Sequence, residues 1–253
     1  MASRVEAYLG VADDLCTRVE AFAAAANATL AQKRYPLTYR DRVMIGFALK
    51  IDSAFRALIS DVRVNRSESM HHLKTMTESY IYFLFVADDP TDVAARRVMA
   101  DTWHAQAVFL QETGGDPEEI RNCEAERDAL RAGADKLPTV QALAHSHGKA
   151  FGTGWYSRVY RLACESAHTG DLFTFMPDPD DQDIVINAPM FAADSARYAI
   201  HYALAIVLNV FQTALDHNDL GLRGDISDLT FRYKAAREAI ASTDQNVPDE
   251  EDR

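Results

Sequence analysis

Apolar residues recur three and four positions apart along almost all of this 253-residue chain. That period matches a helix rather than a strand and leaves little room for a sheet. The clearest stretch carries Val43, Phe47, Ile51, Ala54, Phe55, Leu58 and Ile59 behind Thr38 and Asp41. Thr38 and Asp41 are spaced to cap each other's backbone, which predicts a helix to about Arg63. Ser3 and Glu6 form a similar pair ahead of an alanine-rich helix to about Lys33, closed by Pro36. Ser67 is the expected cap of a third helix through Val86, broken by Asp88, Asp89 and Pro90. Thr91 then starts a fourth, running to Gly114 and Gly115. Asp116, Pro117, Glu118 and Glu119 open a charged fifth helix, with an N-cap, a first-turn proline and favourable first-turn charges. Its Arg121, Glu124, Glu126, Arg127, Asp128 and Arg131 read as a solvated face.

Farther along, Leu137, Pro138 and Thr139 restart the chain into a short helix over 140–148. Gly148, Gly152 and Gly154 read as a flexible approach to a helix over Trp155–Asp171, which Gly170 ends. A proline and aspartate loop follows, with a short extended piece near 183–187. Ala196–Leu215 is the most apolar long segment, but Arg197, His201, Asn209 and Gln212 interrupt it, so a buried helix is expected rather than a membrane span. Gly221 and Gly224 bracket a turn before a last helix over 227–241, and 243–253 reads as a disordered acidic tail. The expected fold class is therefore all-α, a single bundle of seven to nine helices forming one domain over 1–242.

Composition narrows the functional classes. Hydrophobic residues make up 48% of the chain, enough for a core, and 38 acidic against 26 basic side chains give a net charge of −12. That charge argues against a broad grip on nucleic acid phosphates or anionic lipid, though local basic patches are compatible with it. Cys16, Cys123 and Cys164 lie far apart without a CxxC spacing. An odd count with no export signal at the N-terminus points to reduced thiols and a cytoplasmic protein. No glycine-rich phosphate loop, GxSxG elbow or HExxH is present, so no cofactor is expected.

One constellation points to chemistry. Arg161, Glu165 and His168 are spaced four and then three apart, which on an α-helix stacks a guanidinium, a carboxylate and an imidazole on one face. Imidazole titrates near neutrality and suits general acid–base work, while a guanidinium offers a planar fork of donors for phosphate oxygens. The same residues also admit a structural role, with Arg161 a buried arginine paired to Glu165 or Glu78 and His168 placed in a last turn where a cation suits the helix dipole. Lys74, one turn before Glu78, is the expected mate of that carboxylate.

Tyr160-Arg161, Glu165-Ser166 and His168 resemble the YR…S…H signature of a bacterial helical family known as domain of unknown function 5677. Upstream, Lys74-Thr75-Met76-Thr77-Glu78 resembles that family's R-s-l-f-E segment, with lysine where the family usually has arginine. Asp89-Pro90, Ala94-Ala95-Arg96-Arg97 and the stretch from Leu137-Pro138 to Gly148 fit as well, so the resemblance covers about Asp41–Met176. That family in turn resembles HEPN domains, whose ribonuclease members carry an arginine and a histidine separated by four to six residues. Arg161 and His168 have six between them. The resemblance implies a homodimer in which the pair meets its twin, cleaves RNA without metal, and acts in a toxin or defence setting under a protein partner or inhibitor. Glu165 would orient Arg161 or His168, with Tyr160, Glu78 and Lys74 in support. Leu162 departs from the polar residue that HEPN nucleases commonly place after the arginine.

Three other readings stand beside this one. The same residues could hold together a non-catalytic interaction or regulatory module. Glu165…His168 and Glu68…His71 are ExxH pairs like those of di-iron bundles, although Thr38–Arg63 contains no glutamate to complete such a site. Asp88-Asp89-Pro90-Thr91-Asp92, with Asn218-Asp219 far downstream, superficially resembles the magnesium-diphosphate motifs of class I terpene synthases, but a helix-ending turn explains it more simply.

Overall fold

The structure, a computed structural model, describes residues 2–32, 37–64, 66, 68–131, 136–167, 188–218 and 223–244. All regular structure among these residues is helical: α1 (Ala2–Gln32), α2 (Tyr39–Arg63), α3 (Ser69–Ala87), α4 (Val93–Thr113), α5 (Pro117–Arg131), α6 (Val140–Ser146), α7 (Lys149–Phe151), a π-helical segment (Gly152–Tyr160), α8 (Arg161–Ala167), α9 (Ala188–Asn218) and α10 (Arg223–Asp244). The all-α expectation holds. No helix among the described residues is long and apolar enough to cross a membrane.

The centre is the α2/α3 pair with α9 laid against both. Phe55, Leu58, Leu73, Met76, Phe83, Ile200, Leu204 and Ile206 are fully buried there, each at a position the helical period assigns to an inward face. Complete burial of such side chains stabilises by about 1.5–3 kcal/mol each before chain entropy is charged against it. α1 and α10 pack on each other and on α9. Tyr8 and Leu15 of α1 and Leu229 and Tyr233 of α10 join the same core. Arg63–Asp13 ties α1 to α2, and Arg232–Asp14 ties it to α10, each as an exposed ion pair of small energetic weight. α4 rests on α2 and α3, and α5 rests on α4. The short helices α6 and α8, with the π-helical segment, lie along α3, and α7 packs on α6 and the π-helical segment.

Several boundaries follow from capping chemistry. Thr38 and Asp41 form the expected capping box, with Asp41 N donating to Thr38 Oγ1 at 3.1 Å and Thr38 N to Asp41 Oδ2 at 3.0 Å. Gly114 ends α4 at φ 71°, a left-handed value that favours glycine, and the Gly115 amide reaches back to the Leu110 carbonyl at 2.7 Å. Asp116 caps α5 by accepting from the Glu118 amide at 2.9 Å.

Other boundaries differ from expectation. α1 begins at Ala2, so Ser3 lies inside its first turn, and Pro36 and Ser67 lie outside the described residues. α3 begins at Ser69 with Glu68 before it, which makes no side-chain cap bond. Asp89 rather than Thr91 organises the start of α4: one carboxylate oxygen accepts from Thr91 N at 2.8 Å and Thr91 Oγ1 at 2.6 Å, and the other accepts from Ala94 N at 2.7 Å. α10 begins at Arg223, so Gly224 sits within the helix instead of bracketing a turn, and α10 runs past Thr243 to Asp244. The extended piece near 183–187 and the tail beyond 244 lie outside the described residues.

Candidate functional site

The segment that carries the motif does not wind as a simple α-helix. From Gly152 to Tyr160 it is π-helical, with carbonyls bonded to amides five residues on, and it becomes α-helical only at Arg161. π-helical winding is rare and is found most often at functional places, where the wider turn re-aims side chains. The Arg158 carbonyl in this segment accepts from the Tyr198 hydroxyl of α9 at 2.8 Å. The expectation of a flexible glycine approach is overturned here. Gly152 and Gly154 sit inside the wound segment, and only Gly148, at φ 101°, forms a turn that favours glycine. Gly152 is buried where α6 crosses it, and a Cβ added there would come within 3.0 Å of the His145 ring.

Of the sequence-predicted site residues, Arg161 is exposed at the first turn of α8. The reading of Arg161 as a buried core arginine is therefore corrected. The Glu165 side chain and all of His168 lie outside the described residues. Tyr160 is half-buried and stacks on Tyr156 with ring centroids 5.5 Å apart. Burial, then the nearby Glu78 charge and a hydrogen bond with Cys164, push the Tyr160 phenol well above its ordinary ionisation range. Glu78 thus faces Tyr160 from α3, and it opposes ionisation of Tyr82 on its own helix. Lys74 is half-buried one turn earlier, and no ion pair joins it to Glu78 among the described residues, so its expected role as mate of that carboxylate is not realised.

Arg161 opens onto a groove of about 520 Å³ between the motif segment and α9, lined by Ser157, Arg158, Arg161, Leu162, Tyr198 and Tyr202. The exposed Leu162 is part of this wall. Its lining holds two guanidiniums and, among the described residues, no carboxylate. Arg158, Tyr198 and Tyr202 escape the sequence reading. Arg158 stands only three residues before Arg161, while the two tyrosines fall in the apolar period of a helix some 40 residues away and read as core.

Behind the groove the aromatic residues continue inward. Tyr202 meets Tyr198 at 4.6 Å, His201 at 4.9 Å and Trp155 at 5.8 Å between ring centroids. Trp155 meets Tyr80 edge-on at 5.2 Å. At the inner end the Tyr8 and Tyr233 hydroxyls lie 3.1 and 3.2 Å from His201 Nδ1. Burial, with Arg237 and Arg197 nearby, pushes the His201 imidazole below its ordinary pKa and keeps it neutral. His147 is largely covered: it pairs with Asp88 at 3.1 Å and packs on Phe151. His72 pairs with Asp61 at 3.2 Å, and His71 is exposed.

Of the two metal readings, the Glu165 side chain and His168 of the first and Asp219 of the second lie outside the described residues. The carboxylate of Asp89 is occupied by the turn into α4, that of Asp92 accepts from the Arg40 amide at 3.1 Å, and Asp88 serves His147. The string is thus a helix-ending turn. No three His, Cys, Asp or Glu side chains converge among the described residues.

No protein-family model, curated protein or solved structure matches the chain.

Proposed function

We propose that the chain is a cytoplasmic, metal-independent endoribonuclease of the HEPN type, acting as a homodimer in a toxin or defence setting. Arg161 holds the scissile phosphate and His168 moves a proton at a ribose oxygen. The observation that carries this reading is the exposure of Arg161 on a groove whose described lining already holds a second guanidinium, from Arg158. A phosphodiester is the substrate such a pair suits, since planar forks of donors match its oxygens and stabilise the charge that grows on them. Glu165 follows Arg161 by one turn on α8, the spacing at which a carboxylate orients a neighbouring guanidinium. The likeness of Tyr160-Arg161…His168 to the 5677 and HEPN patterns supports the same assignment and supplies the expectation of a dimer and of a protein inhibitor.

The test is incubation of the purified protein with total RNA in a chelator. The parent protein cleaves, and His168→Ala abolishes cleavage while its stability stays within about 1 kcal/mol of the parent, which separates loss of chemistry from loss of fold. Intact RNA with the parent protein would instead favour the non-catalytic interaction module.

A further inference from the structure

The groove beside Arg161 has more parts than the cleavage of a phosphodiester needs. Two of its walls are tyrosines whose rings are held in place. Tyr198 is pinned by its hydroxyl on the Arg158 carbonyl, and Tyr202 is wedged edge-on against both Trp155 and His201, with interplanar angles of 79° for each. Their own rings lie 4.6 Å apart at 49°, too tilted to stack on one another, so a flat partner can lie against the exposed part of either. Both rings are partly exposed where they line the groove, and opposite them stands the exposed side chain of Arg158. Rigid aromatic walls facing a mobile cation suit a ligand with one flat apolar part and one anionic part. The groove's volume falls within the range that small-ligand sites occupy and is too small to seat a helix.

The geometry points to Arg158, Tyr198 and Tyr202 as a subsite for one unpaired nucleotide flanking the phosphate at Arg161, with the base against the tyrosine rings and its phosphate on Arg158. This rests on the ribonuclease reading only for which phosphate is cut; the binding itself does not need cleavage. Stacking requires a base that has left its helix, so a paired strand is excluded by geometry rather than by sequence. Ser157, Arg158, Arg161 and Leu162, about one turn apart, form one wall, and Tyr198 holds the Arg158 carbonyl from α9. Arg158, Tyr198 and Tyr202 are thus positioning residues, and Arg161 remains the group at the reacting phosphate.

The experiment uses the full chain and a short fluorescein-labelled 2′-O-methyl oligoribonucleotide of mixed sequence, which lacks the hydroxyl needed for metal-free cleavage, so anisotropy reads binding alone. The unlabelled strand competes, and the same strand annealed to its complement competes at least about tenfold less well. Tyr202→Leu keeps the packing volume against Trp155 but removes the platform, and weakens binding about tenfold, the size of one lost stack. Arg158→Ala weakens binding and lowers the slope of log affinity against log salt by about 0.7, one phosphate contact on a single strand, whereas Arg158→Lys restores the slope. On a cleavable RNA the same two variants raise KM with little change in kcat. Binding that depends on Arg158 and Tyr202 without any cleavage would uphold the subsite and overturn the ribonuclease reading. Cleavage with neither variant altering affinity, slope or KM would do the reverse, and equal binding of single strand and duplex would overturn the subsite as well.

Discussion

The hydroxyl of Tyr198 donates to the carbonyl oxygen of Arg158 at 2.8 Å, across 40 residues of sequence. It satisfies a backbone acceptor within the π-helical segment and fixes the distance between that segment and α9. Tyr198→Phe removes this bond together with the hydroxyl's hydrogen bond to Tyr202, and is expected to lower stability by about 0.5–1.5 kcal/mol. Hydrogen exchange should speed up over residues 152–162 more than in α2 or α3. Uniform exchange across the chain would show that the bond does not hold the segment.

Gly152 and Gly154 stand two residues apart and should respond with opposite sign. Gly152→Ala puts a methyl 3.0 Å from the His145 ring and 3.2 Å from its Cα, so α6 must shift, at a cost of about 1–3 kcal/mol. At Gly154 an added Cβ meets nothing within 4 Å, and alanine there is neutral or stabilising by up to about 1 kcal/mol through helix propensity. Urea unfolding of the two variants measures both values.

His201 gives a dependence on pH with a definite direction. Burial first, and then Arg237 and Arg197, place its folded pKa below the ordinary value near 6.5. The unfolded chain therefore takes up a proton first as pH falls. The stability contributed by the neutral ring is complete above about 6.5 and is lost as pH drops from there toward the folded pKa, by at most about 1.4 kcal/mol per pH unit. Unfolding free energies of the parent and His201→Gln at pH 7.5 and 5.5 test this. The parent's advantage should shrink at the lower pH, and an advantage that grew would reverse the assignment.

Asp89 depends on pH in the same direction, but through its charged form rather than a neutral one. Burial disfavours its charge, but hydrogen bonds from the Thr91 side chain and from the amides of Ala94 and Thr91, with Arg40 nearby, outweigh it and hold the carboxyl below the usual range. Its stabilising bonds persist above the ordinary carboxylate pKa and are lost as pH falls through the lowered one. Asp89→Ala should cost about 0.5–2 kcal/mol at neutral pH, the loss of a helix cap, as measured by thermal unfolding.

The helices were legible because each rests on a local rule. Thr38 and Asp41 announce α2, Gly114 and Asp116 mark the turn between α4 and α5, and the apolar period of α9 predicts Ile200, Leu204 and Val207 inside. The motif segment was legible only in part. A period of 3.6 assigns Trp155–Asp171 to one α-helix, and nothing local in the sequence distinguishes an i+5 bonding pattern from an i+4 one. That winding depends on contacts made by residues far away, Tyr198 above all. The same holds for the groove. Arg161 was visible through its spacing to His168, but Tyr198 and Tyr202 look like core residues until α9 is laid beside Arg158.

The most direct measurement is kcat/KM for cleavage of a defined RNA in a chelator by the parent protein and by Arg161→Ala. Cleavage that persists without metal and falls at least about a hundredfold in the variant, with unchanged melting temperature, is the predicted result for loss of a group that stabilises transition-state charge. Equal rates for parent and variant, or cleavage that appears only when a divalent metal is added, would contradict it.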